Sequence, residues 1–178
     1  ILDPVDGTTN LIHDFRNSTL SLALCEGGIL TLGIVYHPYS GELFLARRGE
    51  GAWCNGVPIH VSEAEKMSQS LISIGTSPYY KELAEENFTL FRKIFMESED
   101  IRRLGSAALE LAYVASGRTE AYLERHLKPW DYAAGVLLIE EAGGMVTDYQ
   151  GKPVDVTNPA DIVGSNGKIG TILTKEFL

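Results

Sequence analysis

Cysteine is nearly absent from this 178-residue chain, which has only Cys25 and Cys54. Two thiols make no disulfide framework, and they read as reduced side chains in an intracellular protein. Basic charge is in deficit as well. Fifteen Lys and Arg stand against 24 Asp and Glu, a net charge of −9. That balance argues against a polybasic nucleic-acid or membrane-binding surface. No run approaches the ~18 apolar residues of a transmembrane helix. No repeat, low-complexity tract or long linker interrupts the chain. An initiating methionine is missing too. The first residues, Ile1-Leu2-Asp3, read as the inside of a strand, so the lack of a leader carries no information.

What is present is globular. Hydrophobic residues make up 44% and charged residues 22%, which excludes wholesale disorder and supplies a core for one domain or a little more. STLSLALCE (18–26) is apolar at every second position, and Gly27-Gly28 then ILTLGIVYH complete a hairpin pattern. Turn residues at 38–41 and at Asn55-Gly56 bracket ELFLAR and Ala52-Trp53-Cys54. Residues 18–60 therefore read as an antiparallel meander, within an N-terminal sheet part spanning 1–61. Residues 62–178 alternate strand and helix patterns and read as a mixed α/β half. SLISIG (70–75) is a strand. Residues 79–97 have helical spacing, with Leu83, Phe88, Phe91 and Phe95 as expected core anchors. Ser106 caps a helix that ends near Gly117, and residues 119–124 are strand-like. Pro129 opens a helix that stops at Gly143-Gly144, two short strands follow, and a helix or turn begins at Asn166.

Two segments carry chemistry. The first is Asp3-Pro4-Val5-Asp6-Gly7-Thr8. Pro4 keeps Asp3 out of helical conformation and Gly7 permits an unusual bend, so a turn would hold the two carboxylates. Two aspartates and the exposed carbonyl of Val5 suit a hard cation such as magnesium. Gly7 and Thr8 would open a short helical turn whose free N–H groups favour phosphate, with the Thr8 hydroxyl orienting a water. The same hexapeptide is also good surface-turn chemistry. The second segment runs from Trp130-Asp131 to Gly143-Gly144. Asp131 lies in the first turn of a helix, where an acid is favourable on its own account, or where it reaches the same metal. Glu140 and Glu141 read as solvated helix positions. The four histidines lack metal-ligand spacing.

In this order and spacing, the two segments resemble the inositol monophosphatase family of magnesium-dependent phosphomonoesterases, as do Gly33-Ile34-Val35-Tyr36 and Gly49 to Gly56. The resemblance implies an α+β fold with αβαβα layers and, in many members, a homodimer. It implies metal ligation by Asp3, Asp6 and Asp131 and by the Val5 carbonyl. Thr8 would orient the attacking water, with Asp3 bridging metals beside it. Substrate contacts would come from Asp6, Gly7, Thr8, Gly105, Ser106, Ala107, Glu124 and Asp131. The implied reaction is hydrolysis of a small phosphorylated polyol or sugar, inositol monophosphate above all, without a phospho-enzyme. A cytoplasmic protein with no nucleic-acid or membrane partner is the matching expectation. Fructose-1,6-bisphosphatases and nucleotide 3′-phosphatases of the same superfamily are the alternatives, and a binding module that keeps the fold without turnover is another. A haloacid-dehalogenase phosphatase is disfavoured because Pro4 occupies the position of its nucleophilic aspartate. Family members carry a further segment before the first motif, with two long helices, a metal-binding glutamate and the partner of the threonine. Without it, the chain alone is expected to be weak or inactive.

Overall fold

The computed structural model describes all 178 residues. The meander is an antiparallel sheet of six strands in sequence order: β1 (Leu2–Asp6), β2 (Thr19–Glu26), β3 (Ile29–His37), β4 (Glu42–Arg47), β5 (Gly51–Cys54) and β6 (Val57–Pro58). Period-two alternation decides its faces. Thr19, Ser21 and Ala23 point inward and are buried, while Leu20 and Leu24 are 37% and 46% exposed on the other side. Leu20 pairs with Tyr36, and Tyr36 with Leu43, so the outward face is also apolar.

The second sheet has five strands in the order β10-β11-β9-β7-β8. These are β7 (Leu71–Ile74), β8 (Asp100–Arg102), β9 (Ala121–Leu127), β10 (Met145–Thr147) and β11 (Ala160–Ser165). β7 runs parallel to both β8 and β9, and the remaining pairs are antiparallel. Five helices join the strands: α1 (Thr8–Ile12), α2 (Ala84–Glu97), α3 (Ala107–Ala115), α4 (Pro129–Glu141) and α5 (Lys168–Ile172). α3 and α4 lie between the sheets. α4 is buried without a break from Tyr132 to Ile139, as a helix covered on every side must be. One core joins Val35 and Phe44 of the first sheet to Leu111 and Leu137 of these helices. A second joins Ile72 and Leu123 to Phe91 and Ile94 of α2 and Ile169 of α5. The layers therefore run β-α-β-α, four consecutive members of the αβαβα stack.

Three local readings need correction. Regular α2 begins at Ala84, after a 3-10 turn over Lys81–Leu83, not at residue 79. Its buried stripe is Asn87, Leu90, Phe91 and Ile94, whereas Phe88 and Phe95 are 62% and 50% exposed. Phe88 and Phe95 share a stripe seven residues apart, and the sheet lies one step around the helix from it. Glu140 and Glu141 are not merely solvated. Glu140 pairs with Arg48 at 2.7 Å, and Glu141 accepts the N–H groups of Gly49 and Gly51 at 2.8 and 3.0 Å. The end of α4 is thereby tied to the β4–β5 turn.

Candidate active site

β1 runs through the first motif itself, so the two aspartates stand on a strand and not on a turn. Residues three apart on a regular strand face opposite ways. Here Asp3 pairs with Ser21 and Asp6 with Thr19, three steps on β1 against two on β2. That bulge turns both carboxylates to one side. β1 is an edge strand, which tolerates the N–H that Pro4 lacks. Asp3 Oδ1 accepts the N–H of Val5 at 2.9 Å. Gly7 then takes φ +81, and a Cβ there would meet Gly105 O at 3.1 Å and Asn17 O at 3.2 Å. Both the conformation and the space require glycine at this position. The chain leaves it into α1, where the Thr8 hydroxyl donates to the Val5 carbonyl at 3.2 Å.

Asp131 reaches the same place from the first turn of α4, held by the backbone N–H of Lys128 at 2.7 Å. Ligand oxygens of Asp3, Asp6 and Asp131 all lie within 4.8 Å of one another. No Lys, Arg or His forms an ion pair with any of the three. Asp6 is buried, and its Oδ2 accepts the Ser106 hydroxyl at 2.6 Å and the N–H of Ala108 at 2.8 Å. Burial pushes its carboxyl up to about 7, the charges of Asp131 and Asp3 add to the rise, and the two hydrogen bonds oppose it. Asp131 is raised to about 6, chiefly by burial and then by the Asp3 charge. Three converging carboxylates with no cation of their own form an oxygen donor set that fits a hard divalent ion.

This trio opens onto a cleft of about 430 Å³. The C-terminal ends of the parallel strands β7, β8 and β9 all feed it, the usual place for a ligand in such a sheet. Glu124 on β9 forms part of its floor. It accepts the Ser77 N–H at 2.7 Å and the Tyr122 hydroxyl. A Cβ on Gly75 would fall 2.1 Å from the Glu124 carboxyl, so glycine is what lets that carboxylate in. Burial raises its pKa, with the Arg103 charge acting against the rise. Deeper still, Glu110 accepts the N–H of Leu104 at 2.5 Å, and its other oxygen has no partner. Burial lifts Glu110 to about 7.

Asp3, Val5, Asp6, Gly7, Thr8, Gly105, Ala107, Glu124 and Asp131 all line the cleft. Ser106 does not. It is 1% exposed, caps α3 by accepting from Leu109 N, and places Asp6. Sequence reasoning passed over Glu110, Tyr122 and Asn10. The signal for Glu110 was its standing as the one charge within Ala107–Ala115. The Asn10 amide ties α1 to Leu104 O at 2.8 Å and Asn17 O at 3.1 Å. Ser77 to Tyr80 also line the cleft.

A model of the inositol monophosphatase family matches residues 1–177. Among curated proteins, the Nus factor SuhB of Xylella fastidiosa is 43% identical over 151 residues, covering 85% of this chain and 55% of that protein. The inositol-1-monophosphatase of Synechocystis sp. is 39% identical over 168 residues, covering 94% and 58%. Among solved structures, the SuhB protein of Bartonella henselae superposes with a TM-score of 0.93 at 38% identity, covering 100% of this chain and 69% of that one. The inositol monophosphatase from Anabaena gives 0.91 at 39%, covering 98% and 72%. The chain spans little more than half the length of these curated relatives.

Proposed function

The chain belongs to the inositol monophosphatase family, and on that premise we propose that it carries the catalytic carboxylates of a magnesium-dependent hydrolase of small phosphate monoesters, inositol monophosphate first among them. The convergence of Asp3, Asp6 and Asp131 to within 4.8 Å carries this reading. Those three, with the Val5 carbonyl, would hold the magnesium. When bound, a divalent ion neutralises phosphate charge and makes water more acidic.

The chain's own residues do the rest. Thr8 presents its hydroxyl beside the trio and orients the attacking water. Gly7, Gly105 and Ala107 let backbone approach the phosphate closely, and Asp6 and Asp131 face the leaving-group side. Glu124 keeps acceptor capacity beyond Ser77 and Tyr122, enough to receive a polyol hydroxyl. Unaided hydrolysis of such esters is among the slowest reactions in water, so charge placement is where the protein gains most. A homodimer and a cytoplasmic setting belong to the same proposal and rest on the family alone.

The test is phosphate release from inositol 1-phosphate by the purified full-length protein, since the 178 residues alone are expected to be weak or inactive. Release should require magnesium, stop with a chelator, and fall at least about 100-fold in Asp131→Asn. Near-normal release by that variant overturns the assignment. A second reading takes its support from the relatives named Nus factor SuhB, at 42–43% identity. On it, the fold serves binding without turnover. A folded, magnesium-binding protein that releases no phosphate from any monoester favours that reading.

A further inference from the structure

We propose that His126 is a specificity-determining residue of the cleft. Its imidazole pairs with ring hydroxyls on the alcohol portion of the ester, so that polyol monophosphates are taken in preference to plain alkyl ones; this rests on the phosphatase reading above. His126 lines the cleft, two residues after Glu124 and five before Asp131. Its backbone is strained, with φ +58 inside β9. Glycine takes that conformation freely, whereas a histidine there costs stability. The cause is a bulge. β9 takes three steps from Glu124 to Leu127 while β11 takes two from Ile162 to Ala160. Such an extra residue re-aims side chains, and Glu124 and His126 both line the cleft.

Strain of this kind persists only where the surroundings hold it, and it gathers at functional sites. The His126 N–H donates to Asp161 Oδ1 at 2.9 Å, and the ring rests on Tyr80 with centroids 4.7 Å apart. Tyr80 is fixed in turn. Its N–H donates to Ser77 O at 2.9 Å, and its hydroxyl accepts from Lys128 Nζ at 3.3 Å. Ser77 Oγ donates to Arg125 O at 2.9 Å, so the loop after β7 holds the bulge itself. Yet neither ring nitrogen of His126 makes a hydrogen bond within the protein; the Asp161 carboxylate stands 3.8 Å from Nδ1, and 46% of the side chain is exposed. A neutral imidazole offers a donor and an acceptor, whereas an ionised carboxylate only accepts. A hydroxyl does both. Glu124 meets the donating half of a polyol, and His126 supplies the donor that Glu124 lacks. A plain alkyl ring pairs with neither and leaves both groups desolvated.

The experiment compares inositol 1-phosphate with cyclohexyl phosphate, which has the same ring and phosphate and no hydroxyls, on the full-length protein and on His126→Gly and His126→Asn. Three quantities are read: kcat/KM with magnesium, affinity by calorimetry on the metal-free protein, and melting temperature. His126→Gly should lower the inositol-to-cyclohexyl ratio about tenfold in both kcat/KM and affinity. It should melt no lower than wild type, because glycine relieves the strain. His126→Asn, which tolerates the same backbone and keeps a donor and an acceptor, should recover most of the ratio. An unmoved ratio overturns the assignment. So does a glycine variant that melts lower and loses both esters equally, since His126 would then only brace the wall. Should no ester turn over while the affinity ratio still shifts, the hydrolase reading fails and the assignment stands.

Discussion

Gly7 and Asp6 show how little freedom single positions have here. A side chain at Gly7 meets both a left-handed backbone, φ +81, and carbonyl oxygens at 3.1 and 3.2 Å. Gly7→Ala should therefore destabilise the protein by about 1–3 kcal/mol, read as a lower urea midpoint with an unchanged slope. A midpoint equal to wild type would show that the bend tolerates a Cβ. The motif around Gly7 was readable because its types are chemically scarce in combination: two acids, a proline and a glycine in five residues. What it did not reveal is that a strand bulge, not a turn, brings Asp3 and Asp6 together. Pairing register depends on the partner strand, whose paired residues lie 13 and 18 positions along the chain from Asp6 and Asp3. Ser106 was readable as the α3 cap, which the fold keeps, but not as a support for Asp6, to which the same hydroxyl donates.

At the scale of elements, α3 couples helix capping to the metal site. Ser106 caps it, and the same hydroxyl and the Ala108 N–H both reach Asp6. Ser106→Ala should cost about 1 kcal/mol for the cap. It also removes a bond that lowers the Asp6 pKa, so magnesium should bind more weakly at neutral pH. Ser106→Thr, which keeps the hydroxyl, should restore both. Magnesium titration monitored by calorimetry checks this, and equal affinity in the alanine variant contradicts it. β2 and β3, with alternating patterns, and α4, bounded by Pro129 and Gly143-Gly144, matched their sequence readings. α2 did not match in its face, because Phe88, Phe91 and Phe95 offer two apolar stripes and only packing against β7 and β9 chooses between them. β8, three residues long, is too short to leave a periodic trace.

Across the whole molecule, four carboxyls share one sign of perturbation, Glu124 among them. Asp6 and Glu110 are raised to about 7 and Asp131 to about 6, each chiefly by burial. The folded protein therefore holds protons that the unfolded chain releases near pH 4. Stability from these groups is full below that pH and is lost as pH rises towards 7. The metal-free protein should melt several degrees lower at pH 7.5 than at pH 5.5. Magnesium needs the ionised trio, so its stabilising effect should grow over the same interval. A magnesium effect larger at pH 5.5 than at pH 7.5 would contradict this. The mixed α/β half was readable from the switch of period at about residue 62, whereas the αβαβα layers and the union of residues 3, 6 and 131 came from the resemblance to the family.

The claim beneath all of this is that Asp3, Asp6 and Asp131 hold a divalent cation. Anomalous diffraction from crystals soaked in manganese, standing in for magnesium, tests it most directly. The account predicts a peak bonded to one carboxylate oxygen from each of the three residues. Strong peaks elsewhere, with none among these three at saturating manganese, would contradict it.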